Sequence, residues 1–142
     1  MKEIKFRGKR KDTGEWVYGY FTRNDESGRC YITTQSKTGG AHPWEVDPAT
    51  VGQNINIKDD HGEEIWVHDI VNVKIRDYVW NKVIVDRNVV IKFKDGRFGF
   101  EWGGEFGRKE FASFNEFDKS VTSFTKIGNK FDNPELLEMA SA

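Results

Sequence analysis

The densest set of groups able to do chemistry runs from Asp59 to Asp69. Asp59, His61, Glu63, Glu64 and Asp69 supply carboxylates and an imidazole, the donor types that jointly hold a divalent cation. The spacing is not that of an EF-hand. Counted from Asp59, Gly62 stands fourth, whereas that loop needs its glycine sixth and a glutamate twelfth. A solvated polar turn accounts for the segment, and no metal is expected. His68-Asp69 pairs a base with an orienting carboxylate, yet neighbours on a strand point to opposite faces. No serine or cysteine stands in a nucleophile motif either. Cys30 follows Arg29, whose charge would favour a thiolate, but a small half-buried strand residue is the simpler role. Gly103, Gly104 and Gly107 match neither the dinucleotide-binding nor the P-loop spacing. These residues imply no enzyme and no cofactor.

Two stretches suggest binding instead. Gly96-Arg97-Phe98-Gly99-Phe100 has the basic residue, glycines and alternating aromatics with which RNA-binding sheets stack bases. Lys92, Lys94 and Arg97 are its candidate phosphate contacts. The order departs from that motif, because Phe98 follows Arg97 directly, and the periodic partners Val89, Ile91 and Phe93 make Phe98 and Phe100 core residues. The second stretch is Arg76 to Lys82, where Tyr78 and Trp80 form a candidate interaction loop at an aromatic tip.

The elements that position these groups are mostly strands. Ile4 and Phe6 alternate with charges before Asp12-Thr13-Gly14, and Trp16, Tyr18 and Tyr20 alternate after it, which predicts a first hairpin. Lys2, Lys5, Arg7, Lys9, Arg10 and Lys11 give it a basic edge, read as protection against edge pairing. Arg23 to Gly28 reads as a loop, Cys30 to Thr34 as a strand, and Ser36 to Ala41 as a Gly-rich connection. Pro48 keeps Asp47 out of helical geometry and marks a turn. Ile55 and Ile57 then lead through Asp59-Asp60-His61-Gly62 into a run from Ile65 to Val73, a hairpin followed by a new strand.

Val71 to Ile75 and Val83 to Val85 are further strands. A type I′ turn at Asp95-Gly96 predicts a hairpin pairing Phe93 with Phe98, Ile91 with Phe100 and Val89 with Trp102, all facing a core. Phe111, Phe114 and Phe117 recur at helical spacing and predict a short helix. Val121 to Ile127 reads as a closing strand, and Asn133-Pro134-Glu135 opens a last helical turn with asparagine as N-cap.

The 142 residues suffice for one ordinary domain or for two very small β units sharing a core, and one compact body is expected. A formal net charge of −1 lacks the global footprint of a protein that binds phosphates, so no binding to random single strands tighter than about 10⁻⁵ M is expected near physiological salt. The single cysteine fits a reducing compartment, and no window suits a signal peptide or a membrane span.

Glu3 to Lys9 with Gly14 to Tyr20, Val46-Asp47-Pro48 with Thr50 to Gln53, Asp69-Ile70-Val71, Ile127-Gly128-Asn129 and Asn133 to Leu137 resemble, in order along the chain, the YopX family of phage and prophage proteins. The resemblance implies a mainly β fold with short C-terminal helices, whose second half is a small SH3-like barrel with an N-terminal β-hairpin unit packed on it. Residues 1–66 and 67–142 would be its two parts. It also implies self-association, and it brings no catalytic residues. Where the family has an aromatic, Glu and Gly before Asp-Ile-Val, this chain has Trp66, Val67 and His68, and histidine takes positive φ less cheaply than glycine.

The reading that follows is a non-enzymatic binding or assembly module of the host cytoplasm, partnered by itself and by a phage or host protein. The alternative is a single-stranded nucleic-acid binder working through the second-half sheet.

Overall fold

The computed structural model describes residues 4–35, 38–77, 79–103, 109–113 and 121–139. It is mainly β. The chain forms two compact units, Met1–Asn56 and Ile57–Ala142.

In the first unit β1 (Phe6–Lys9), β2 (Trp16–Arg23), β3 (Cys30–Gln35), β4 (Ala41–Val46) and the start of β5 (Gly52–Lys58) form an antiparallel sheet in the order β4-β3-β2-β1-β5. The predicted first hairpin is present, with Lys9 opposite Trp16 and Arg7 opposite Tyr18. β1 also pairs with β5, so it lies inside the sheet and its charges protect no edge. Arg7 is only 2% exposed. One face of the sheet buries Cys30, Ile32 and Val46, with Phe6, Val17, Phe21 and Val51 packed against them.

β4 lies in what reads as a loop, because Ala41, His42 and Pro43 carry no strand signal. Proline is tolerated there because β4 ends the sheet and needs hydrogen bonds on one side only. After it a single 3₁₀ turn (Pro48–Thr50) realises the turn expected at Pro48. The Asp47 carboxylate accepts from the Ala49 N–H at 3.0 Å, and Thr50 Oγ1 accepts from the Lys9 N–H at 2.8 Å, tying the turn to β1.

β5 runs on past Asn56 into the second unit, where the Asp59-to-Gly62 turn leads to β6 (Glu64–Trp66). The unit's five-stranded sheet has the order β10-β9-β8-β7-β11, built from β7 (Asp69–Asp77), β8 (Lys82–Lys94), β9 (Arg97–Gly103), β10 (Lys109–Ser113) and β11 (Val121–Asn129). One of the two antiparallel sheets curls into a half-barrel. Val83 to Val85 and Val89 to Phe93 are parts of one strand, β8, which carries Asp86, Arg87 and Asn88 through opposite Lys74, Val73 and Asn72. Ile70 with Val71, and Val89 with Val90 and Ile91, are buried in succession, so these strands are covered on both faces where they meet.

Two sequence expectations fail here. Residues 109–113 are strand, not helix: ladder pairing of Phe111 with Glu101 and of Ala112 with Phe100 outweighs the three-residue recurrence of phenylalanine. The rest of that predicted helix lies outside the described residues. Phe93 is 55% exposed and therefore does not join Ile91 and Phe100 in the core. The turn itself is as expected, with φ of 54° at Asp95 and 79° at Gly96, a type I′ geometry that pairs Phe93 with Phe98 and Ile91 with Phe100.

The last element is α1 (Glu135–Met139), the α-helix among the described residues. The Asn133 side chain turns back to accept from the Asn129 N–H at 3.3 Å, while Asn88 Nδ2 donates to the Leu136 carbonyl at 2.9 Å and ties α1 to β8.

Candidate binding surfaces

The acidic turn is occupied by its own backbone. Asp59, 7% exposed, accepts through Oδ1 from the N–H groups of His61 and Glu63, each at 2.9 Å, and through Oδ2 from that of Lys126 at 2.9 Å. Asp60 Oδ2 accepts from the Phe124 N–H at 2.8 Å, and the Asp60 N–H donates to the Phe124 carbonyl at 3.0 Å. Phe124 and Lys126 lie on β11, the end strand, whose ladder partner is β7. The turn therefore caps backbone groups that an end strand otherwise presents for pairing.

Burial pushes the Asp59 carboxyl up, but the N–H groups of Lys126, Glu63 and His61 and the nearby His61 charge outweigh it and hold the pKa below the ordinary carboxylate range. Among the described residues no group of three or more His, Cys, Asp and Glu side chains is arranged to hold a metal.

His68 and Asp69 serve different partners. The fully buried Asp69 Oδ2 accepts from the Trp66 N–H at 2.8 Å and lies 3.5 Å from Lys126 Nζ. His68 has a φ of 82°, the conformation in which glycine is usual, and its ring meets Phe131 edge-on at 5.2 Å. Its N–H donates to the Ile91 carbonyl and its carbonyl accepts from the Lys130 N–H. Cys30 is buried beside Ile32 and Val46, with Sγ directed to the Gly28 carbonyl at 3.8 Å. Gly103 closes β9; Gly104 and Gly107 lie outside the described residues.

In the β8–β9 hairpin the register separates the groups that a base-stacking platform needs together. Lys92 sits opposite Gly99 and Lys94 opposite Arg97, on the face away from Ile91, Phe93, Phe98 and Phe100. Lys92 Nζ also lies 3.5 Å from the Glu101 carboxylate. The β7–β8 tip does present apolar surface: Val79 is 81% and Trp80 73% exposed. Arg76 Nη1 donates to the Asn81 carbonyl at 3.2 Å and to its side-chain oxygen at 3.1 Å, holding the turn, while Asn81 takes a φ of 53°. Tyr78 lies outside the described residues.

Sequence reasoning missed the outer face of the first sheet. Trp16, Tyr18 and Tyr20 alternate along β2 on the face opposite Val17 and Phe21, with Tyr18 and Tyr20 about half exposed. Arg7 and Lys9 stand across from Tyr18 and Trp16 on the same face. The Arg7 guanidinium carbon lies 4.4 Å and Lys9 Nζ 5.4 Å from the centre of the Trp16 ring. The signal was the alternation of Lys5, Arg7 and Lys9 against Trp16, Tyr18 and Tyr20, which only the hairpin register joins.

Two small units of antiparallel sheet define a mainly β protein class. The family described as YopX protein matches residues 5–138, and the chain belongs to the YopX family. No curated protein matches it at a significant level. Among solved structures it is similar to the crystal structure of protein EF1440 from Enterococcus faecalis, at 23% identity and a TM-score of 0.52. That likeness covers 96% of this chain and 99% of the other, and it concerns the fold. No helix among the described residues is long and apolar enough to cross a membrane.

Proposed function

We propose that this YopX-family chain is a non-enzymatic binding module of a phage or prophage, acting in the host cytoplasm on a phage or host protein through the β7–β8 tip, and assembling with copies of itself. The observation that carries the reading is the exposure of Val79 and Trp80 on a turn already fixed by Arg76. Tryptophan is the residue most often found as a binding anchor, since it buries a large area with few rotors to immobilise. A turn held before binding also lowers the ordering cost that association must overcome. Catalysis has no comparable support, because the Asp59 and Asp69 carboxylates are engaged by backbone donors of their own fold.

The test is a pull-down from phage-bearing host cells with the tagged chain, in parallel with Trp80→Ser, before and after nuclease treatment. A protein captured by the wild type, retained after nuclease and lost with Trp80→Ser is the expected result. Capture unchanged by the substitution, or lost on nuclease treatment, overturns the reading.

A further inference from the structure

β8 is longer than the strands that flank it. It pairs with β7 from Lys82 to Val90, but with β9 only from Val90 to Lys94. From Lys82 to Val89 the strand order is therefore β11-β7-β8, and among the described residues no strand pairs with the outer side of β8 there. This stretch runs directly back from the β7–β8 tip. Val83, 44% exposed, continues the apolar surface of Val79 and Trp80 onto it, and Lys82, Asp86 and Arg87 are exposed as well. Pro43 protects the edge at β4, and Asp59 and Asp60 cap β11, whereas Lys82 to Val89 contain no proline. The direction of the outer row follows from the ladder. The Ile91 carbonyl accepts from the His68 N–H on the β7 side, and Lys94 closes the β8–β9 hairpin opposite Arg97. In an antiparallel ladder the N–H and C=O of one residue point the same way, and the direction alternates along the strand. Val85, Arg87 and Val89 therefore address β7, and Asp86 and Asn88 point their backbone groups outward.

We infer that the outer edge of β8 takes an extended segment of the partner protein as an added strand, with Trp80 anchoring it at one end; this rests on the tip being the binding surface proposed above. An extended polypeptide presents donors and acceptors in one line, at the spacing of about 6.6–6.8 Å that separates residues pointing the same way on a strand. A helix has spent those groups on itself, and a nucleic-acid strand carries no such row of paired N–H and C=O groups. The edge is set before the segment arrives. Asn72 Nδ2 donates to Asp86 Oδ1 at 2.8 Å and to Asn88 Oδ1 at 3.0 Å, which fixes both side chains across the ladder to β7, while Arg76 fixes the turn at the far end. That order lowers the cost of association. Main-chain bonds along β8 then supply affinity with little demand on the partner's sequence, and the partner's apolar site for Trp80 supplies selectivity.

The test is a pull-down from phage-bearing host cells with four forms of the full chain: wild type, Trp80→Ser, Asp86→Ala and Asp86→Pro. Both Asp86 variants lose the bond from Asn72, but only proline removes the outward N–H, and an edge position tolerates proline within the sheet. The expected result is equal capture by wild type and Asp86→Ala, and loss of capture with Trp80→Ser. With Asp86→Pro capture falls at least roughly fivefold, the effect of one backbone hydrogen bond whose acceptor is left unpaired. Amide hydrogen exchange of the wild type, free and in the captured complex, is a second readout that needs no substitution and decides the matter where Asp86→Pro fails to fold. The Asp86 and Asn88 amides should exchange at least about tenfold more slowly in the complex. Equal capture by folded Asp86→Pro and Asp86→Ala, or unchanged exchange at the two amides, overturns the added strand and leaves the reading of the tip intact. Capture absent from the wild type, or insensitive to Trp80→Ser, overturns both. Protection of the same amides in the purified chain alone as its concentration rises puts a second copy on the edge and overturns the inference as well.

Discussion

His68 and Asp59 show how much a single position can hold that its residue type does not announce. At His68 the backbone takes a φ of 82°, although the side chain has a Cβ that makes this conformation costly. The ring meets Phe131, which offsets part of the strain. His68→Gly and His68→Ala both lose that contact, but only alanine keeps the strain. The glycine variant should therefore be the more stable of the two by about 1 kcal/mol in denaturant unfolding, a difference net of glycine's larger unfolded-state entropy. Equal stability would show that the backbone relaxes out of positive φ.

Asp59 carries a pH dependence of defined sign. Its folded pKa lies below the ordinary value of about 3.9, so its contribution is complete well above that pH and is lost as pH falls through the folded value. In Asp59→Asn one amide oxygen can still accept, but the NH₂ group meets an N–H donor and leaves it unsatisfied. The expected cost is about 1–3 kcal/mol at neutral pH. The gap between wild type and variant should then narrow below about pH 3.9, where the wild-type carboxyl takes up a proton. A gap constant from neutral pH to pH 3 would mean that Asp59 does not titrate with folding.

Among the elements, those with a period of two joined by a recognisable turn could be read from sequence. The hairpin at Asp12-Thr13-Gly14 is present, and that at Asp95-Gly96 has the expected pairings of Phe93 with Phe98 and Ile91 with Phe100, because alternation and turn chemistry point the same way. β4 and β10 escaped for opposite reasons. Pro43 hides a strand that survives at the end of a sheet, and the helical spacing that starts at Phe111 hides the ladder pairing of residues 109–113 with β9. Which face of a hairpin is covered is likewise a property of the neighbours. Phe100→Ala, with Phe100 3% exposed and edge-on to Phe124 at 5.7 Å, should cost about 3–5 kcal/mol. Phe93→Ala, two ladder pairs nearer the turn and half exposed, should cost less than about 1 kcal/mol in the same chemical denaturation. Equal losses would mean that Phe93 is covered in solution.

For the whole chain, the β-rich class and the family could be read from its motifs, but strand order could not. Because β1 sits between β2 and β5, its basic residues lie in a sheet interior and face a row of rings, instead of guarding an edge. Edge protection is supplied elsewhere, by Pro43 on β4 and by Asp59 and Asp60 on β11. β10, the other end of the second sheet, carries no proline and, among the described residues, has a strand neighbour only in β9. A second copy pairing there across a two-fold axis would extend the sheet, and self-association through this strand is the expected state. Light scattering should return a multiple of the 16.5 kDa protomer mass. Trp80→Ser should leave that mass unchanged, since the β7–β8 tip is proposed to serve a different partner. A monomer over a wide concentration range would overturn self-association, and a monomer produced by Trp80→Ser alone would move the contact from β10 to the tip.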